Sequence, residues 1–445
     1  MAFVAKGLAR RYDGPGLASE KQSPVTGDPD RPTRLRFLRS VRTFDSLVVP
    51  AYRNYFGAMF LYFAAMQMTV LVRPWVAFEL SANDLGQRSA LVLGLTVAAN
   101  NLPSLALSPY AGALADRMSK RTILQVCAVL MALFAAVTAV GLASSWFAWW
   151  HVTIIGVGQG AVMTFITPTR RAIIGDLVGR DHLLNATALH TMLMNVNRMV
   201  MPAAGGFLIV ASGAEWAYVS IAAMYVAGIA LLFIVPKFVP SDASRKRGMS
   251  GAVREGFRYA AKDRTIRNLL LIAFVSTLVG QPLQHLLPLF ADVLDITVDR
   301  VGLLFTFFGI GSLMGSTTAA SLGNFKRKGL LLVGFLTFWG GAILAFALSD
   351  VYVLSLLLLV PVGMGHSGRN TVNIATLQTY TNSDMRGRVM ALNAMMSGFM
   401  PPAVLLITAI AEFANAQVAL GGAGVIILAY GLWQLVFART VRSLE

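Results

Sequence analysis

Apolar residues in this chain fall into twelve runs, each about long enough to cross a bilayer, and that pattern leaves few folds open. A membrane-spanning helix needs roughly 20 mostly apolar residues, because in lipid the backbone must satisfy its own polar groups. The runs are 54–78, 89–115, 121–143, 146–168, 183–211, 215–236, 267–290, 298–322, 329–348, 351–377, 387–412 and 418–438. Only 13% of the 445 residues are charged, against about a quarter in soluble domains. The expected fold class is an all-α polytopic membrane protein with 12 transmembrane helices, and a soluble globular fold is excluded.

The net charge of +16 would suggest nucleic acid in a soluble chain, so its location matters. With twelve spans the connections alternate sides, and 32 of the 37 Lys and Arg residues fall on one side. Only Arg88 and Arg300 lie in the opposite connections, while Arg73, Arg198 and Arg369 lie within spans. The positive-inside rule assigns the rich side, with both termini, to the cytosol of a cell (inner or plasma) membrane, and removes nucleic acid as a partner. The expected organisation is a largely disordered cytosolic arm (1–49), a six-helix half (50–236), a cytosolic linker with an amphipathic helix (237–266), a second six-helix half (267–438) and a cytosolic tail (439–445). Residues 250–262 and 34–48 have amphipathic spacing suited to contact with lipids of the inner leaflet. Cys127 is the sole cysteine, so no intramolecular disulfide forms, and no metal or cofactor is expected.

The two halves repeat. Arg53-Asn54 and Arg267-Asn268 open the first and seventh spans, and Pro74 and Pro288 share their offset of 214. Gly112 and Gly315 are 203 apart; Gly158-x-Gly160 and Gly363-x-Gly365 are 205 apart. Same-sense halves joined by a cytosolic linker place a substrate site at their interface near mid-membrane, as in alternating-access transporters.

The connection Gly112-Ala-Leu-Ala-Asp116-Arg117-Met-Ser119-Lys120-Arg121 resembles the loop signature of the major facilitator superfamily, with Ser119 where the family usually has Gly. Asp384-Met-Arg386-Gly-Arg388-Val-Met-Ala-Leu392 is similar to the span 10–11 signature of its enterobactin-exporter and macrolide-efflux branch, as is Pro168-Thr-Arg170 followed by Leu184-Asn185-Ala186. The resemblance covers about 50–438 and implies a gating role for Asp116, Arg117, Lys120, Arg121, Arg386 and Arg388. At the position corresponding to Asp116, the second half has Ala319. Met201-Pro202-Ala-Ala-Gly205-Gly206 resembles the Gly-Pro-x-x-Gly-Gly of related exporters; Pro202 frees a carbonyl, and Gly205 and Gly206 permit close helix packing. The Arg that those exporters place three residues before a Gln-Gly pair in span 4 is Gly156 here.

Ionisable residues within spans are costly and therefore functional candidates. Arg198 and Arg369 are the expected substrate-binding charges, with Asn197, Gln67, Gln281 and Gln284 as polar partners. Arg73 reads as a residue near the end of its span that snorkels to the interface. With no Asp or Glu in the middle of any span, His190, His366 and His285 are the available proton-coupling groups. A basic cavity fits an anionic or zwitterionic small molecule. The expected function is secondary active, alternating-access export of an amphipathic siderophore- or drug-like molecule, coupled to protons, by a monomer. A lysophospholipid or organic-anion carrier without proton antiport is the alternative, and a transport-inactive sensor or scaffold a remote one. Neither a His-Glu-x-x-His metalloprotease motif nor a Gly-x-x-x-x-Gly-Lys-[Ser/Thr] phosphate loop occurs, so an enzyme or ATP-driven pump is not expected.

Overall fold

The computed structural model describes residues 45–144, 146–236, 249–323, 325–438, 442 and 444. The expectations for the arm up to residue 44 and for linker residues 237–248 lie outside these residues, as do the side chains of Asp116 and Arg117.

Each apolar run becomes a helix that satisfies its own backbone and buries side chains against its neighbours. The first half comprises α1 (Pro50–Leu85), α2 (Ala90–Arg117), α3 (Lys120–Ala143), α4 (Trp149–Gly179), α5 (His182–Ser212) and α6 (Ala214–Leu232). The amphipathic α7 (Met249–Lys262) follows. The second half comprises α8 (Arg264–Leu294), α9 (Val298–Ser321), α10 (Lys328–Ala347), α11 (Tyr352–Tyr380), α12 (Ser383–Phe413) and α13 (Ala416–Phe437). Among the described residues, eleven helices are long and apolar enough to cross a membrane. The remaining helix, α11, tenth in the order of spans, has the length at 29 residues but carries His366, Arg369, Asn370 and Asn373.

Two boundaries differ from expectation. The first span was expected to stop at Phe78, before Glu79, yet α1 continues to Leu85 and ends at Gly86 in the left-handed region (φ 77°). A left-handed glycine stops a helix more decisively than the first charge. Arg73 consequently lies about 18 Å from that end, at about 1.5 Å per residue. Between α4 and α5 the helical path is interrupted only at Gly179 (φ 68°, ψ −174°), a conformation open to glycine.

Buried apolar side chains form two clusters. One is built wholly from residues 52–235, the other mainly from α8–α13, joined by Leu71, Trp75 and Phe78 of α1. The halves meet along α5 and α9, and along α2 and α12. A Cβ on Gly302 would stand 2.5 Å from the Ala203 Cα and 3.0 Å from the Pro202 carbonyl oxygen. A Cβ on Gly206 would overlap the Val298 carbonyl, whereas one on Gly205 would press on Met68 and Val72 of α1. The adjacent glycines therefore serve different partners. The Thr306 hydroxyl donates to the Met199 carbonyl (2.8 Å), and the Leu91 N–H donates to the Glu412 carboxylate (3.1 Å). Below, the end of the bundle carrying α7 is the linker end and the opposite end the distal end.

α8 is not a regular helix. It is α-helical over Arg264–Val275, widens to a π turn at Ser276–Gly280 and proceeds in short turns through Leu283–Leu286 and Leu287–Leu289. Pro282 and Pro288 lack the N–H a continuous helix requires. Interrupted spans are tolerated where they are buried in protein or line a cavity, and this one carries His285.

Candidate functional site

A cavity of about 200 Å³ opens among α1, α2, α3, α4, α6 and α8. α1 lines it with Met66, Thr69, Val70 and Arg73, and α2 with Val97, Asn100 and Asn101; both sets follow the i, i+3, i+4 spacing of one helix face. Pro74 leaves the Val70 carbonyl without its helical donor at this wall. His285 is the second-half residue among the lining groups.

Arg73 is the charged centre of this wall, and it does not snorkel. Its side chain is buried, and Nη1 donates to Gln159 Oε1 at 2.8 Å. A Cβ at Gly156 would lie 3.6 Å from Arg73 Cδ and 3.7 Å from Nε. That is ordinary contact distance, so the Arg73 stem leaves room at 156 for little more than a methyl group, and a guanidinium reaches Gln159 from α1 instead of from α4. Asn100 donates to the Gly156 carbonyl at 2.9 Å and fixes the same wall. Arg73 Nε has no hydrogen-bond partner.

Arg73 belongs to a row of groups. His285 lies within electrostatic reach of both Arg73 and Arg198, and His366 within reach of both Arg198 and Arg369. The row Arg73, His285, Arg198, His366, Arg369 therefore draws on both halves, with Arg73 and Arg198 from the first and His285, His366 and Arg369 from the second. Arg198 is enclosed by protein atoms yet has an exposed side chain, as a group facing an internal water-accessible space does. Arg369 is buried, stands 5.2 Å from the Trp339 ring and leaves Nε without a partner. Among the described residues none of the three forms an ion pair. Carboxylates with described side chains lie near helix ends or in connections.

Not every expected site residue joins this row. His190 and Arg198 are eight residues apart, which turns them about 80° from each other on a helix. His190 points into the first half, where its ring stacks on Tyr55 at 6.2 Å and meets Phe63 edge-on at 5.3 Å. His190 therefore stands apart from the row. Asn197 is buried and donates to the Leu193 carbonyl of its own helix (2.9 Å). Gln67 is buried one position off the α1 cavity face, and Gln281 and Gln284 are half-buried in the irregular part of α8.

At the linker end the basic residues bond within their own half or to α7. Lys120 pairs with Asp176, Arg121 donates to the Val235 carbonyl (2.6 Å), and Arg388 pairs with Glu255 of α7 (2.6 Å); Arg386 is exposed. The distal end differs. Arg88 pairs with Glu79 of α1 and with Asp292 of α8, bridging the halves, and stands 5.7 Å from the Trp75 and Phe78 rings. Partial burial opposes the Arg88 charge, but its bonds to Glu79 and Asp292 more than offset this and push the guanidinium above its ordinary value. Exposed pairs contribute at most about 1 kcal/mol, or about fivefold in a conformational ratio. Arg88→Gln is expected to raise the distal-open population by up to that factor. The check is the nitroxide distance between Asp84→Cys and Thr297→Cys in a Cys127→Ser background; an unchanged distribution would show that the bridge does not hold the distal end.

A sequence profile of the family described as "Transmembrane secretion effector" matches residues 52–443. The chain is 24% identical over 243 residues to "Enterobactin exporter EntS" of Escherichia coli O1:K1 / APEC, and 25% identical to the protein of that name from Shigella boydii serotype 18. These alignments take in 54% of this chain and 58% of the relatives' length. Among solved structures, the D-xylose-proton symporter superposes with a TM-score of 0.64 at 14% identity, covering 89% of this chain and 98% of its own. The nucleoside transporter NupG superposes with a TM-score of 0.68 at 11% identity, covering 89% and 100%.

Proposed function

Since the chain belongs to the transmembrane secretion effector family of major facilitator transporters, we propose that it is a proton-coupled exporter of an amphipathic small molecule bearing an anionic group. The observation that carries this reading is the row Arg73, Arg198 and Arg369, three guanidinium groups without an ion-pair partner among the described residues. A buried unpaired charge, as at Arg73 and Arg369, costs several kcal/mol, and a substrate carboxylate or other oxyanion offsets that cost. Guanidinium groups bind oxyanions in a bidentate fork, so the binding is directional as well as attractive. The enterobactin exporters named above support a siderophore-like amphiphile as the substrate class.

In this reading the linker end faces the cytosol, in keeping with the charge distribution. The distal contacts of Arg88, Gly206 and Gly302 are those of an inward-facing state, and transport alternates them with a linker-end latch built from Asp116, Arg117, Lys120, Arg121, Arg386 and Arg388. The protein acts as a monomer. Proton coupling runs through His285 and His366, the titratable groups in the row, while His190 packs among aromatic rings.

The lack of a carboxylate beside the row, among the described residues, favours a second reading, an organic-anion or lysophospholipid carrier without proton antiport. Proteoliposomes with an imposed pH gradient and a panel of anionic, neutral and cationic amphiphiles separate the two. The first reading expects gradient-driven movement of anionic members, the second the same selectivity without response to the gradient. Transport confined to cations overturns both.

A further inference from the structure

A groove of about 520 Å³ runs between α7, α8 and α12 at the linker end, within the roughly 300–1,000 Å³ typical of ligand sites. Its walls include Phe257 and Ala261 of α7, Leu271 and Phe274 of α8, and Met395 and Phe399 of α12. Phe257 is 67% exposed and Phe399 50%, so a large apolar surface stands open. Arg267 is the one charged residue among those lining the groove.

The groove exists because α7 is held at its middle and just beyond its end. At its middle Gly256 lies so close to α12 that a Cβ would stand 3.1 Å from Arg388 Cβ, and Glu255 pairs with Arg388. After its last residue the Asp263 carboxylate accepts from the N–H groups of Thr265 (2.8 Å) and Ile266 (3.1 Å), capping α8. Those contacts engage the two acids of this region. Arg258, Lys262, Arg264 and Arg267 remain exposed beside them. Arg267 Nη1 donates to the Ala261 carbonyl at 3.2 Å, which holds the guanidinium at the groove mouth.

An apolar slot with a guanidinium at its mouth, at the end of a transmembrane bundle, matches one kind of molecule in shape and charge. We propose that the groove holds one anionic phospholipid, with an acyl chain between the helices and the phosphate on Arg267. The inference uses only the position of the groove at a membrane surface, so it is independent of the direction and substrate of transport. A peptide helix is the other occupant such a groove accommodates, but the guanidinium of Arg267 at the mouth, with Arg258, Lys262 and Arg264 exposed on the same stretch of chain, favours a phosphate.

The test is native mass spectrometry of the full chain in detergent with equimolar dioleoylphosphatidylglycerol and dioleoylphosphatidylcholine. The wild type is expected to retain one lipid with a phosphatidylglycerol preference of about fivefold, the scale of one basic residue at an anionic surface. Arg267→Gln should bring that ratio to about one. Ala261→Trp should remove the retained lipid of either kind by filling the slot. Both side chains are exposed, so the variants should match the wild type in circular dichroism and gel filtration. Equal retention of the two lipids by the wild type overturns the proposal, as does an undiminished preference in Arg267→Gln or lipid retained by Ala261→Trp.

Discussion

Arg73→Gln is expected to reduce uptake of an anionic amphiphile by roughly 10- to 100-fold, because a hydrogen bond between charged groups contributes about 1.5–3 kcal/mol and about 1.4 kcal/mol is a factor of ten. The loss should appear mainly in KM if Arg73 binds substrate equally in the ground and translocating states. Thermal stability should not fall. The guanidinium is buried with one hydrogen bond to Gln159, and removing an under-compensated buried charge is neutral or stabilising. A merely structural arginine would give the reverse, lower stability with transport retained in the protein that folds. Arg73→Lys keeps the charge but loses the planar fork, so it should recover only part of the affinity.

The second large effect concerns the crossing of α5 and α9. Gly302→Ala places a methyl group 2.5 Å from the Ala203 Cα, a backbone atom that no side-chain rotation can move aside. Overpacking of this kind costs about 1–3 kcal/mol. Here it falls on the state in which the two helices touch, so the distal-closed population should drop by roughly 5- to 150-fold relative to the open one. Nitroxide distances at the distal end should lengthen, and turnover should fall while expression and folding persist. Unchanged distances together with normal turnover would show that the close crossing is not needed for closure.

Much of the architecture was legible because hydropathy over twenty residues is a local property. The all-helical membrane fold followed from it, and among the described residues eleven helices are long and apolar enough to cross a membrane. Contacts between remote positions were not legible. Arg88 looked like a stray cation on the sparse side, and its partner Asp292 is 204 residues away. Lys120 was read with its neighbours in the loop signature, whereas it pairs with Asp176 across 56 residues.

Arg73 is the most instructive case. Glu79 suggested an early end to the first span, and that moved Arg73 towards the interface. The capping Gly86 restores seven residues and takes it into the bundle. A signal was nevertheless present. Gly156 stood where related exporters carry an arginine, and Gln159 had kept its place. A missing charge beside a retained polar partner is a reason to look for the charge on a neighbouring helix. His190 and Arg198 illustrate a different limit, since their difference of about 80° around one helix sends His190 among aromatic rings of the first half.

The row of guanidinium groups as the determinant of substrate charge is tested most directly by uptake of an amphipathic carboxylate and its methyl ester. The pair should be measured in proteoliposomes of the wild type and of Arg73→Gln. The two compounds share an apolar body and differ in the charge that the row is proposed to recognise. The wild type should move the carboxylate at least about tenfold faster than the ester, a preference that Arg73→Gln should largely abolish. Equal rates for acid and ester in the wild type, or a preference for the ester, would contradict the proposed role of these arginines.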